Sequence, residues 1–366
     1  MTTDRFLKAC RSEPVDRTPI WLMRQAGRYM PEYRSVRAKV NFLELCKSPE
    51  LCTEVTLQPV DILVVDAAIL FSDILVPVEA MGLKLDFNPA PVFEKPVRTK
   101  ADIESLRVID PEADVPYVLD AVRMILRELN GRVPLIGFSG APFTLLSYMV
   151  EGGGSRNFTR LKSMMWGEPA LYRNLMEKVT ETVIRYLNAQ IHAGAQAVQI
   201  FDTWGGMLSP ADYLNYALPY TRRVIEGIEK TEITGPVEFT SKAERPPEGE
   251  FRTVPIINFV GGSQGIMPLV ARAGGDVIGV DWRIDIAEAR RQLGKDKAVQ
   301  GNLDPIALLA PIPEIDRMAK EIIAAAGDTG HIFNLGHGII PETPVDNVKA
   351  LVESVHRHGE SHRVKI

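Results

Sequence analysis

Three arginines, Arg24, Arg28 and Arg37, follow the apolar run at residues 20–23 within a single short stretch. A guanidinium group is planar, permanently charged and able to donate two parallel hydrogen bonds, so it suits carboxylates better than an ammonium does. Such a cluster can clamp a polycarboxylate, while each arginine taken singly could equally serve a surface ion pair. A second signal is Asp73, set in the apolar context Ile69-Leu70-Phe71-Ser72-Asp73-Ile74-Leu75. An unpaired carboxylate there is costly, so Asp73 either caps a turn or meets a cationic or N–H-rich ligand. Tyr148, Thr203 and His337 also follow apolar runs. Each carries a group that can complete a polar pocket, and each is also compatible with ordinary packing.

Other chemistries fit less well. A Schiff-base mechanism needs a desolvated lysine aimed into the site, whereas Lys297 lies at the start of its run and Lys84 in a connecting segment. A zinc site wants several Cys, His or acidic ligands, which a lone His337 among glycines does not supply. A zinc site is therefore disfavoured. The glycines Gly261-Gly262-Ser263 could cradle a phosphate at a helix start, and a tight turn is the preferred reading.

Charge and cysteine usage narrow the setting. The chain has 366 residues and a formal net charge of −5, against a nucleic-acid partner. Residues 1–39 nevertheless carry nine Lys/Arg and four acids, so this segment is basic while the remainder is strongly acidic. The opening residues are polar, and no apolar run is long enough to span a bilayer, so neither a secretory leader nor a membrane partner is expected. The three cysteines, Cys10, Cys46 and Cys52, are odd in number and form no CxxC pair, which suits a reducing cytoplasm.

The elements that must position these groups alternate along the chain. Short apolar runs at 20–23, 62–65, 135–138, 197–201, 255–259, 277–280, 299–301 and 332–335 read as eight strands, most followed by a segment of helical spacing. Ser48-Pro49 and Asp304-Pro305 read as helix starts, and Ala193-Gly194 ends a long amphipathic helix that begins at Pro169. Further helices are expected from about Pro210 to Glu229 and from about Val345 to His356. Eight strand–helix repeats predict an α/β fold, a single-domain (β/α)8 TIM barrel over residues 1–366, with chemistry at the carboxyl ends of the strands. An open doubly wound sheet is the alternative, but its glycine fingerprint is missing after the first strand. Residues 71–97 form an excursion after strand two. A connector at 231–253 precedes strand five and is expected to pair 237–240 with 251–254 in a hairpin on the far face, and 357–366 form a tail.

Several motifs together resemble one family. The run Pro19-Ile20-Trp21-Leu22-Met23-Arg24-Gln25-Ala26-Gly27-Arg28-Tyr29-Met30-Pro31-Glu32-Tyr33-Arg34 is similar to the N-terminal signature of the uroporphyrinogen decarboxylases. So are Phe71-Ser72-Asp73-Ile74-Leu75, Gly137-Phe138-Ser139-Gly140-Ala141-Pro142-Phe143-Thr144-Leu145, Tyr148-Met149-Val150-Glu151-Gly152-Gly153-Gly154 and Asn334-Leu335-Gly336-His337-Gly338. The resemblance runs from about Asp4 to about His356. It departs in the connector, which is longer than usual, in Asn258-Phe259-Val260-Gly261-Gly262, and at Thr203, where many members carry serine. It implies a homodimeric, cofactor-independent (β/α)8 enzyme that removes four acetate carboxyls from uroporphyrinogen. It further implies that Arg24, Arg28 and Arg37 meet substrate carboxylates, that Asp73 faces the pyrrole N–H groups, and that Tyr148, Thr203 and His337 complete the contacts. Asp73, Arg37 and Arg28 are the candidates for catalysis. Two rivals are a zinc-dependent methyltransferase of the wider superfamily, which the lack of cysteine beyond Cys52 argues against, and a non-enzymatic tetrapyrrole carrier.

Overall fold

The apolar, β-branched runs bury both faces, which is the condition for a parallel sheet covered by helices. In the computed structural model, which describes residues 4–87, 90–229, 253–294 and 296–360, the strands are β1 (Ala68–Ile69), β2 (Leu85–Phe87), β3 (Pro91–Phe93), β4 (Leu135–Gly140), β5 (Ala197–Asp202), β6 (Ile256–Val260), β7 (Val277–Gly279), β8 (Ala298–Gln300) and β9 (His331–Ile332). Seven of them form one parallel sheet in the order β1-β4-β5-β6-β7-β8-β9, with registers such as Ile136↔Ala197 and Val198↔Ile256. Helices return the chain between strands, among them Pro116–Leu129, Pro142–Glu151, Pro169–His192, Ile312–Ala326 and Val345–Gly359.

The sheet curls. Ala67, Ile136, Ala197, Ile257, Val277, Ala298 and Ile332, drawn from along its whole width, meet in one inner cluster with Trp21 and Phe6. Within it Trp21 Nε1 donates to Gln300 Oε1 at 2.9 Å, and Gln300 Nε2 donates to Gln199 Oε1 at 3.1 Å. Each buried amide thus finds a partner that offsets its desolvation. The segment at residues 20–23 is paired too briefly to count as a strand. Ile20 bridges in parallel to Phe333, and its carbonyl accepts from Asp66 N at 2.7 Å.

Some expectations need correction. Residues 62–65 are not a strand: Ile62 and Leu63 end the helix Pro49–Leu63, and Val64 turns the chain at φ 59°. The β-branched residues there extend a helical stripe with Val55 and Val60 buried, so tertiary packing overrides strand propensity. The strand begins later, at Ala68, which moves Asp66 from the carboxyl end of the sheet to its amino end. The helix expected from Pro210 to Glu229 is Pro210–Asp212, a wide turn at Tyr213–Ala217, then Leu218–Glu226. Pro219 lacks the N–H that a regular ladder would use there. Asp304-Pro305 starts a 3-10 turn, Pro305–Leu309, rather than an α-helix. The excursion after β1 holds an antiparallel pair, β2 with β3. The last helix runs to Gly359 and takes in the start of the expected tail. The hairpin expected between 237–240 and 251–254 lies outside the described residues.

Candidate active site

At the carboxyl end of the sheet, the loops gather the groups singled out by their chemistry. Arg24 follows the 20–23 segment in a left-handed conformation, φ 61°, uncommon for a residue with a side chain and typical of places where function holds the backbone. Its aliphatic stem lies over Gly338, where an added Cβ would stand 2.5 Å from Arg24 Cδ. The glycine in Gly336-His337-Gly338 is therefore what lets this arginine pass. Among the described residues, Arg24 forms no salt bridge, and its charge acts on Asp73, Tyr148 and His337 alike. One cation thus brings three of the expected residues into a single field.

Asp73 sits in the loop between β1 and the helix Val76–Ala80. Its Oδ1 accepts from Leu75 N at 2.8 Å, an Asx turn. Burial pushes the carboxyl up to about 6, against the pull of the Leu75 N–H and the Arg24 charge. Both readings of this residue therefore hold: it caps a turn and still presents a desolvated carboxyl. Burial also raises the Tyr148 hydroxyl, and the Asp73 charge adds to it, while a hydrogen bond with the Trp204 side chain and Arg24 oppose. The imidazole of His337 is pushed down to about 4 by burial and by Arg24, with Asp281 opposing. It is neutral at ordinary pH and serves as a hydrogen-bonding group, not as an acid.

The remaining arginines divide. Arg37 donates to Val40 O and stacks over Phe42, 5.8 Å from the ring centroid. The charges of Arg37 and Asp73 both reach the buried Cys46 thiol, with opposite effects. Arg28 is exposed, and its charge reaches Tyr33, the neighbour of Arg37. Arg34 instead donates to Arg28 O and Tyr29 O, both at 2.9 Å, and shapes the loop that carries the others. Thr203 is half-buried directly after β5. Its carbonyl packs against Gly261, where a Cβ would come within 2.9 Å.

Sequence reasoning gave no role to several neighbours. Trp204 packs on Tyr148 with ring centroids 6.1 Å apart, and Trp282 meets His337 edge-on at 6.0 Å. Arg283 lies 3.8 Å over Trp282 and is held by Asp281 at 2.7 Å. Their one sequence signal is that both tryptophans come directly after predicted strands. The glycines at 261–262 are a turn: Gly262 has φ 68° and its N–H is taken by Asp281 Oδ2 at 2.9 Å. A carboxylate in that position disfavours a phosphate.

The three cysteines are buried. Among the described residues, no group of three or more His, Cys, Asp or Glu could hold a metal ion, and no helix is long and apolar enough to cross a membrane.

Similarity to known proteins extends over nearly the whole chain. The sequence model of the family described as uroporphyrinogen decarboxylase (URO-D) matches residues 1–358. A uroporphyrinogen decarboxylase of Trichlorobacter lovleyi is 59% identical over 355 residues, 97% of this chain and 98% of that protein. One of Geobacter sulfurreducens is 57% identical over 355 residues, with the same shares. Among solved structures, a methyltransferase from Methanosarcina mazei superposes with a TM-score of 0.78 at 22% identity, covering 97% of this chain and 98% of that one. That likeness concerns the fold alone. With a family match over residues 1–358 and relatives more than half identical over nearly their full length, the chain belongs to the uroporphyrinogen decarboxylase family.

Proposed function

We propose that this chain decarboxylates the four acetate side chains of uroporphyrinogen III, giving coproporphyrinogen III in tetrapyrrole biosynthesis, without a metal or organic cofactor. The observation that carries the reading is Asp73, a desolvated carboxyl facing Arg24 and Tyr148 with no salt-bridge partner among the described residues. A pure anion carrier has no use for a negative charge in that position.

Protonation of a pyrrole ring carbon makes the ring a cationic electron sink. The C–C bond to the carboxylate then breaks, its electron pair flows into the ring system and CO2 leaves; a proton added to the exocyclic carbon completes the methyl group, and the ring carbon gives its proton back, restoring the neutral pyrrole. A fixed carboxylate beside the pyrrole N–H groups stabilises the cation before any reorganisation is needed, which is where preorganised charge contributes most. Asp73 takes this part when ionised. Arg24, Arg28 and Arg37 bind and orient the carboxylates of the substrate, and Tyr148, Thr203 and neutral His337 supply hydrogen bonds. Arg37 is one candidate for the proton donor, and a guanidinium is a poor acid unless its site is unusual.

The architecture proposed with this reading is a single-domain (β/α)8 barrel, which the curled seven-stranded parallel sheet supports. In it the 20–23 segment, hydrogen-bonded on one side to Phe333 and on the other to Asp66, stands as the eighth stave and closes the seven-stranded sheet. A cytoplasmic homodimer completes the proposal. The test is to incubate purified protein with uroporphyrinogen and to separate porphyrins of seven, six, five and four carboxyls by chromatography. Stepwise carboxyl loss is expected. Tight binding with no loss would overturn the decarboxylase in favour of a carrier.

A further inference from the structure

Behind the cleft, a carboxyl that the mechanism does not use is fully buried. Asp202 ends β5 with no exposed surface. Its Oδ1 accepts from Thr144 Oγ1 at 2.6 Å, and Thr144 Oγ1 in turn accepts from the backbone N–H of Trp204 at 3.1 Å. Thr144 lies in the first turn of the helix Pro142–Glu151, which also carries Tyr148 one turn further on. The loop after β5 wraps the carboxyl closely: a Cβ at Gly205 would stand 2.6 Å from Asp202 Oδ2, and one at Gly206 would stand 2.3 Å from Gly261 O. No side chain but hydrogen fits at either place. The loop therefore has one available course, and the Thr144 hydroxyl is the pin that joins it to the helix. Trp204 emerges from this loop with its ring between Phe158, at 5.2 Å, and Tyr148, at 6.1 Å.

We infer that Thr144 is a positioning residue. Anchored on Asp202, it fixes the backbone of Trp204 and so holds the Trp204 side chain against Tyr148, setting where the Tyr148 hydroxyl stands relative to Asp73. The inference rests on the reading of Tyr148 as a substrate contact. Thr144 itself is wholly buried, so its effect is exerted through Trp204.

A double-mutant cycle on uroporphyrinogen turnover separates positioning from general structure. Thr144→Val keeps the volume and removes both hydrogen bonds. It is expected to lower kcat by about tenfold, in line with a small displacement of a positioned group, while Thr144→Ser recovers most of the loss. In a Tyr148→Phe background, Thr144→Val should cost less than about twofold, because the group it positions is gone. Equal losses in both backgrounds, or a silent Thr144→Val, would overturn the inference while leaving Tyr148 a substrate contact. A silent Tyr148→Phe would overturn the reading of Tyr148 and the inference together. Should Thr144→Val fail to fold, Trp204→Phe replaces it in the cycle. It keeps a ring and removes the indole N–H, and the same non-additivity is required of it.

Discussion

The two ends of the sheet put the same residue types to opposite uses. At the amino end, Asp66 is buried and fully engaged: Arg5 at 2.7 Å, Arg17 at 3.4 Å, His356 at 2.9 Å and the Ile20 N–H at 3.0 Å. Burial would raise its carboxyl, but His356, the Ile20 N–H and Arg17 outweigh it and hold Asp66 below the ordinary value. At the carboxyl end, Arg24 and Asp73 share a cleft without a salt bridge, and the Asp73 carboxyl is pushed up to about 6. One end has its charges satisfied and ties the first segment, the run before β1 and the last helix together. The other compensates Arg283 through Asp281 but leaves Arg24 and Asp73 without a salt bridge among the described residues. Arg and Asp therefore do not mark a site by type; the absence of internal compensation does.

The largest effect that can break this comparison lies at the amino end. Asp66→Ala leaves the partly exposed Arg5, Arg17 and His356 without their shared partner, a change expected to cost about 3 kcal/mol, the low end for a broken buried pair. Urea denaturation should show that loss, while the molecules that remain folded turn over uroporphyrinogen at close to the native rate. The native stability contributed by Asp66 is present above its unfolded-state value near 4 and is lost as pH falls below it, because its folded carboxyl is held low. At the carboxyl end the expectation reverses. Asp73→Asn keeps the size and the turn but removes the charge, and should lower kcat by about 10²–10³-fold, the scale of losing one preorganised electrostatic group. Near-normal turnover by this variant would sink the role given to Asp73.

Much of the fold was legible because long parallel strands buried on both faces leave an unmistakable apolar run: β4, β5 and β6 fall where the sequence predicts them. Residues 62–65 misled because an apolar run is equally at home on the inner face of a helix, and only packing decides. A strand at 62–65 would set Asp66 at the carboxyl end of the sheet, whereas the later start at Ala68 sets it at the amino end. At the site, Arg24, Asp73, Tyr148 and His337 were legible through motif and context, since an aspartate among apolar residues needs a reason. Trp204, Thr144 and Asp202 were not, because a buried hydroxyl or carboxyl in a sequence carries no sign of which backbone N–H it will meet. The division between Arg34, which braces its loop, and Arg24, which does not, was also hidden, because it depends on which carbonyls the turn presents.

A smaller effect should come from the glycine that Arg24 crosses. Gly338→Ala places a methyl group against the Arg24 stem, 2.5 Å from Cδ and 2.8 Å from Cγ, so the guanidinium must move. The stem can give way, so folding is expected to survive, with kcat/KM lowered about tenfold through misplacement of the arginine. Steady-state kinetics beside a thermal melt would distinguish this from damage to the fold. A variant that melts early but is fully active when folded would show that Gly338 serves the loop and not Arg24.

The smallest effect is one of sign, and it separates the two ends most directly. Because the folded value of Asp73 is raised from 3.8 to about 6, the native state holds this proton more tightly than the unfolded chain does. Its ionisation therefore subtracts from stability as pH rises from about 4 to 6, and the deficit persists above that range. The side chain is partly open to the cleft, where solvent screens its charge, so the deficit should amount to about 1 kcal/mol. Asp73→Asn should consequently be more stable than the native chain by about this amount at pH 8, with the gain vanishing near pH 4, even as its turnover collapses. Asp66→Asn should do the reverse and lose stability at pH 8. Paired urea titrations at the two pH values read both signs. If Asp73→Asn were destabilised at pH 8, the carboxyl would have to be compensated within the free protein after all, and the two ends of the sheet would not differ in the way their hydrogen bonds imply.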